Sequence, residues 1–176
     1  MNLRPKDPLL AATGTIALIG QGLSAIVAGA TLIAAPVIVY ARQTVLGGLA
    51  GEAHHPLPPA TIGALVAILL LVAAMAACAF AFLRHLRRIV ASVAHGDPFA
   101  PVNAARLAAM GWLTLAVEGL SIPVGGIGQW LATTIEDATS DFGVSVGGVL
   151  LALILFILAR VFREGARMRD DLEGTV

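Results

Sequence analysis

Charge is what this 176-residue chain has least of: 12% of its residues are charged, and 11 Lys and Arg balance 11 Asp and Glu. A soluble domain carries roughly 25% charged residues, enough to coat its surface. Half that amount argues against a soluble enzyme. The absence of net positive charge removes the electrostatic footprint that direct nucleic-acid binding needs. Cysteine is almost absent as well. The single Cys78 can form neither an intrachain disulfide nor a thiolate zinc site, and inside an apolar run it behaves as a small hydrophobe. Catalytic signatures are missing too: there is no phosphate loop, no nucleophile elbow and no His-Glu-x-x-His. These absences predict a protein that is not an enzyme and carries no cofactor.

Apolar residues are abundant instead, at 58% of the chain, with a mean hydropathy of +0.89. They fall in four stretches, 16–40, 61–83, 107–130 and 144–162. Each is close to the about 20 residues that a helix needs to cross a bilayer. The first runs well beyond the apolar core of a signal peptide, so it is expected to be retained as a span. The third contains Glu118, Pro123, Gly125, Gly126 and Gly128, which predict a bend or fraying after Ser121. The expected fold is all-α: one integral-membrane four-helix bundle over 1–176, with a hairpin at 84–106 and a tail at 163–176.

The basic residues give this bundle a direction. Of the 11 Lys and Arg, all but Arg42 precede the first span, lie between the second and third, or end the fourth. The opposite loops carry Glu52, Glu136, Asp137 and Asp141. The positive-inside bias then predicts both termini and the 84–106 hairpin in the cytoplasm, with the chain multi-pass in an inner (plasma) membrane.

Between the spans, His95-Gly96 reads as a helix end, because glycine takes the left-handed cap conformation without steric cost. Asp97-Pro98 reads as a turn and restart, and Asn103 as a further cap one turn before the apolar run. Phe99 is expected to face the bilayer or the tail. The other long loop, 47–60, is rich in Gly and Pro and reads as an extended linker. Its Glu52, His54 and His55 match no metal-ligand spacing, so no metal is expected there. The tail alternates sign, and Arg160 with Glu164 and Arg167 with Asp171 are i,i+4 pairs that would extend the fourth span as a helix.

Within the spans, Glu118 lies about 16 Å into the apolar core and Gln21 at a similar depth, with Ser24 nearby. In a structural reading, Glu118 bonds Gln21 and fixes the packing of spans one and three. In the alternative, Glu118 serves a small dimeric transporter as a proton or cation pathway. Ala73, Ala77 and Ala81, and Gly143 with Gly147, form small-residue stripes that fit bundle packing or a homodimer equally.

Two motifs connect the chain to a family. Gly96-Asp97-Pro98-Phe99 followed by Asn103 and Arg106-Leu107, and then Val161-Phe162-Arg163-Glu164-Gly165 with a terminal Thr175-Val176, resemble a bacterial family of small four-span membrane proteins, domain of unknown function 2975. The tail departs from the family pattern at Gly174. The resemblance implies the span layout derived above and brings no catalytic residues. It also implies a cytoplasmic partner, a helix-turn-helix transcriptional regulator, since relatives resemble products encoded beside such proteins. On this reading Arg87, Arg88, Gly96, Asp97, Pro98, Phe99, Asn103, Phe162, Arg163, Glu164 and Gly165 form an interaction face, and the lipid bilayer is the other partner.

Overall fold

The computed structural model describes residues 8–53, 57–134, 143 and 145–173. Among them there are five helices and no strand: α1 (Pro8–Tyr40), α2 (Arg42–Ala53), α3 (Ala60–Ala94), α4 (Pro101–Thr134) and α5 (Val146–Glu173). Four of these, all but α2, are long and apolar enough to cross a membrane. On α1, Ile16, Ile19, Leu23, Ile26 and Ile33 are all more than 60% exposed. Their spacing of three, four and seven puts them along one helical stripe. In water such a stripe would drive aggregation, whereas in a bilayer the acyl chains cover it.

Each apolar helix outlasts its hydrophobic stretch. α3 runs on through Arg84, Arg87 and Arg88, and α5 continues through the charged tail as expected. Two expectations change. α4 stays helical past Pro123 and the neighbouring glycines, so it does not fray there. Proline costs a helix about 3 kcal/mol, but ending the helix in lipid would strand several peptide groups, each at several kcal/mol. The continuous helix is therefore the cheaper solution. The loop expected from Gly47 is helical as far as Ala53, because the prolines that exclude a helix begin only at Pro56. His54, His55, Glu136, Asp137, Asp141, Thr175 and Val176, with the side chain of Glu52, lie outside the described residues.

The chain divides into two units, one of 1–23, 78–115 and 146–176, the other of 24–77 and 116–145. The first holds a core of Leu107, Met110, Leu155 and Ala159, with Phe82, Leu86, Ile89, Ala108 and Phe162 packed on it. The buried positions of the second are mostly small: Ala35, Thr61, Ala73, Ala76, Ser121 and Val124, together with Leu131.

The small residues used for close packing differ from the expected stripes. Ala73 is buried with Ala76, while Ala77 and Gly147 are exposed and a Cβ at Gly143 would meet no neighbour. The tight contacts are made at Gly111, where a Cβ would stand 2.9 Å from the Phe156 ring, at Gly165 against Phe99, and at Gly20 against Leu83.

Candidate functional site

The conspicuous polar construction lies in the first unit, where α3 ends, α4 begins and the last turns of α5 pass. At the end of α3 the Gly96 amide donates to Val93 O at 2.9 Å and the Asp97 amide to Ser92 O at 3.1 Å. Gly96 has φ 87°. This bond pair with a left-handed glycine is a Schellman cap, which satisfies carbonyls that the helix end would strand. The helix end expected at His95-Gly96 is present.

The restart differs from the sequence reading. Pro101, not Pro98, opens α4, and Pro98 lies in the turn before it. Asn103 is fully buried rather than displayed on a face. Its Nδ2 donates to Ser92 Oγ at 2.7 Å and to Pro98 O at 3.0 Å, while Oδ1 accepts from Arg106 at 2.9 Å. Arg106 also donates to Arg88 O at 3.1 Å. One amide thus joins α3, the turn and α4, and only Asn or Gln offers donors and an acceptor in that arrangement. It braces the hairpin, and with no exposed surface it offers nothing to the interaction face expected from the sequence.

The braced turn is fastened to α5. Arg169 donates to Asp97 Oδ1 at 2.7 Å. Phe99 packs against Phe162, with ring centroids 5.4 Å apart, and its ring edge lies over Gly165. Phe99 therefore takes the tail-facing option, and Phe162 and Gly165 are its seat. Residues 162, 165, 166 and 169 share one face of α5, where the buried Ala166 sits between these contacts. Arg169 was not singled out from the sequence, although its i,i+4 relation to Gly165 marks the same face. Arg87, Arg88, Gly96, Arg163 and Glu164 remain exposed. Glu164 pairs with Arg167 at 3.6 Å, the i,i+3 partner, rather than with Arg160.

Gln21 and Glu118, the residues expected to pair, each make an attachment within their own unit. Gln21 is buried, and its Oε1 accepts from Arg87 at 2.7 Å. A guanidinium on a long side chain can reach along a helix to such an amide. Glu118 Oε2 accepts from the Ser145 amide at 2.7 Å, and Ser121 Oγ donates to Glu118 O at 2.7 Å and Gly143 O at 3.2 Å. Glu118 and Ser121 thus hold the segment leading into α5 against α4. Ser24 is half-buried and belongs to the same unit as Glu118.

A capping role makes a specific demand on chemistry. Glutamine can still accept from the Ser145 amide, so Glu118→Gln should unfold in detergent at the wild-type temperature. Glu118→Ala removes the acceptor and should cost about 1 kcal/mol, as loss of a helix cap does. A proton pathway through Glu118 predicts a different pattern, with Gln as inactive as Ala in a vesicle flux assay.

No curated protein and no solved structure matches the chain. A family model, described as a protein of unknown function (DUF2975), matches residues 49–176. That stretch contains α3, α4 and α5 with the whole braced turn and its seat on the tail. The chain belongs to this family of proteins of unknown function.

Proposed function

We propose that this is a non-enzymatic scaffold of a bacterial inner membrane, with both termini and the 84–106 hairpin in the cytoplasm, which docks a cytoplasmic transcriptional regulator. The observation that carries the reading is the fastening of the hairpin to α5 through Asp97–Arg169 and Phe99 on Gly165. A loop that only reversed the chain would need none of these contacts. Holding a surface in one geometry lowers the ordering cost of binding. The orientation is supported by the arginines: Arg84, Arg87, Arg88, Arg106, Arg160, Arg163, Arg167 and Arg169 all belong to the unit that contains the hairpin.

Arg88 and Asp97 separate contact from bracing. Arg88 is exposed, and reversing it alters the face without touching the core. Asp97→Ala releases Arg169 and loosens the turn. Cross-linked capture from native membranes should recover a helix-turn-helix protein with the wild-type chain. Arg88→Glu and Asp97→Ala should each lose most of it, with a C-terminal reporter verifying orientation. Equal recovery by all three chains, or no such protein at native expression, retires the reading.

A further inference from the structure

The same unit contains an open groove of about 480 Å³ between α4 and α5. Ala108, Phe156 and Ala159 line its apolar part, and Arg160, Arg163 and Arg167 line the rest. On α5 these positions advance by three to four residues, so one helical face changes from apolar to cationic over about 16 Å. The single acid in the groove, Glu164, is engaged by Arg167. Arg160 and Arg163 have no ion pair among the described residues and are exposed. Alongside, Ile157 and Val161 are more than half exposed and form the apolar surface of the same helix.

We propose that this groove holds an anionic phospholipid, with its phosphate between Arg160 and Arg163 and its first acyl methylenes along Phe156 and Ala159. Three properties select this occupant. Two unpaired guanidiniums offer forked donors that match phosphate oxygens. The apolar part has no use for a free phosphate ion but fits the acyl end of a lipid. The polarity changes along the helix axis in the same order as along a lipid, from chain to headgroup. Basic pockets between spanning helices are a recurrent form of lipid recognition. The inference does not depend on the docking function proposed above.

Trp112 is a built-in probe, since its ring meets the edge of Phe156 at 5.4 Å between centroids. Trp130→Phe leaves Trp112 as the sole indole, because the chain has only 2 Trp. This protein would be reconstituted in phosphatidylcholine vesicles containing a minor fraction of brominated phosphatidylglycerol or, in parallel, of brominated phosphatidylcholine. The brominated phosphatidylglycerol should quench Trp112 with roughly a fivefold apparent preference, the effect expected of one well-placed arginine. In Arg160→Gln/Arg163→Gln the preference should fall to the small residual that the remaining hairpin arginines sustain by general attraction of anionic lipid. Equal quenching in the protein with both arginines overturns the proposal without reference to any variant. So does a preference left undiminished by the double substitution in a chain with unchanged helix content. Release of the quench by excess inorganic phosphate would show a phosphate-ion site and overturn the lipid assignment.

Discussion

Asn103→Leu is expected to be the most damaging polar substitution in the protein. Leucine has the branching and heavy-atom count of asparagine but a larger volume, so some overpacking adds to the polar loss. The change strips Pro98 O of its side-chain donor and removes one bond each from Ser92 Oγ and Arg106, which keep their bonds to Ile89 O and Arg88 O. The stranded carbonyl costs about 1–3 kcal/mol and each of the two lost bonds about 0.5–1.5 kcal/mol, so a loss of about 2–6 kcal/mol is expected. Thermal unfolding in detergent should show a single transition moved sharply down, with cleavage at the 95–100 turn appearing in limited proteolysis. A melting temperature within a few degrees of wild type would mean that the amide is not the brace. Asn103→Asp sharpens the test, because it keeps an acceptor for Arg106 but cannot donate to both Ser92 and Pro98.

Gly111→Val should be comparably severe for a different reason. A Cβ at this position meets three atoms of the Phe156 ring at 2.9 to 3.1 Å. The ring also meets Trp112, and Gly111 itself is buried, so relief means forcing the ring toward the groove and off Trp112 or parting α4 from α5. Overpacking of this kind costs about 1–3 kcal/mol, more than the few tenths of a kcal/mol of helix propensity regained when valine replaces glycine. Gly165→Ala is the informative comparison. Its Cβ would also meet a ring at 2.9 Å, but that ring is Phe99, which is 42% exposed. Phe99 can swing outward, so the expected loss of stability is small while the hairpin comes off its seat. Unfolding temperature and proteolytic susceptibility should therefore separate: Gly111→Val lowers the first, and Gly165→Ala raises mainly the second. If both variants melt alike, the two glycines do not differ in how freely their neighbours yield.

Local features of the hairpin were legible because they are written in adjacent residues. His95-Gly96 ends α3 in a left-handed cap, and Phe99 has an apolar ring next to a tail offering Phe162 and Gly165. Asn103 was harder. Asn one turn before an apolar run commonly caps a helix, and Pro101 moved the helix start two residues ahead of it, carrying its side chain inward. Arg169 was passed over because an arginine in a charge-alternating tail ordinarily faces water. Only the position of Asp97 in space gives it a partner 72 residues away.

The sequence alone determined the four apolar helices and their charged extensions, since a bilayer tests length, apolar content and internal hydrogen bonding, all properties of a single segment. It did not determine which face of each helix turns inward. A soluble helix announces its buried face by polar residues opposite, but a spanning helix is apolar all round and carries no such signal. The pairing of Gln21 with Arg87, the attachment of Glu118 to Ser145, and the choice of Gly111 and Ala76 over Gly147 and Ala77 all depend on that rotation. A shift of one residue turns a helix by about 100°. Tertiary packing decided it, through the few places where a ring, an amide and a glycine backbone fit together in one register.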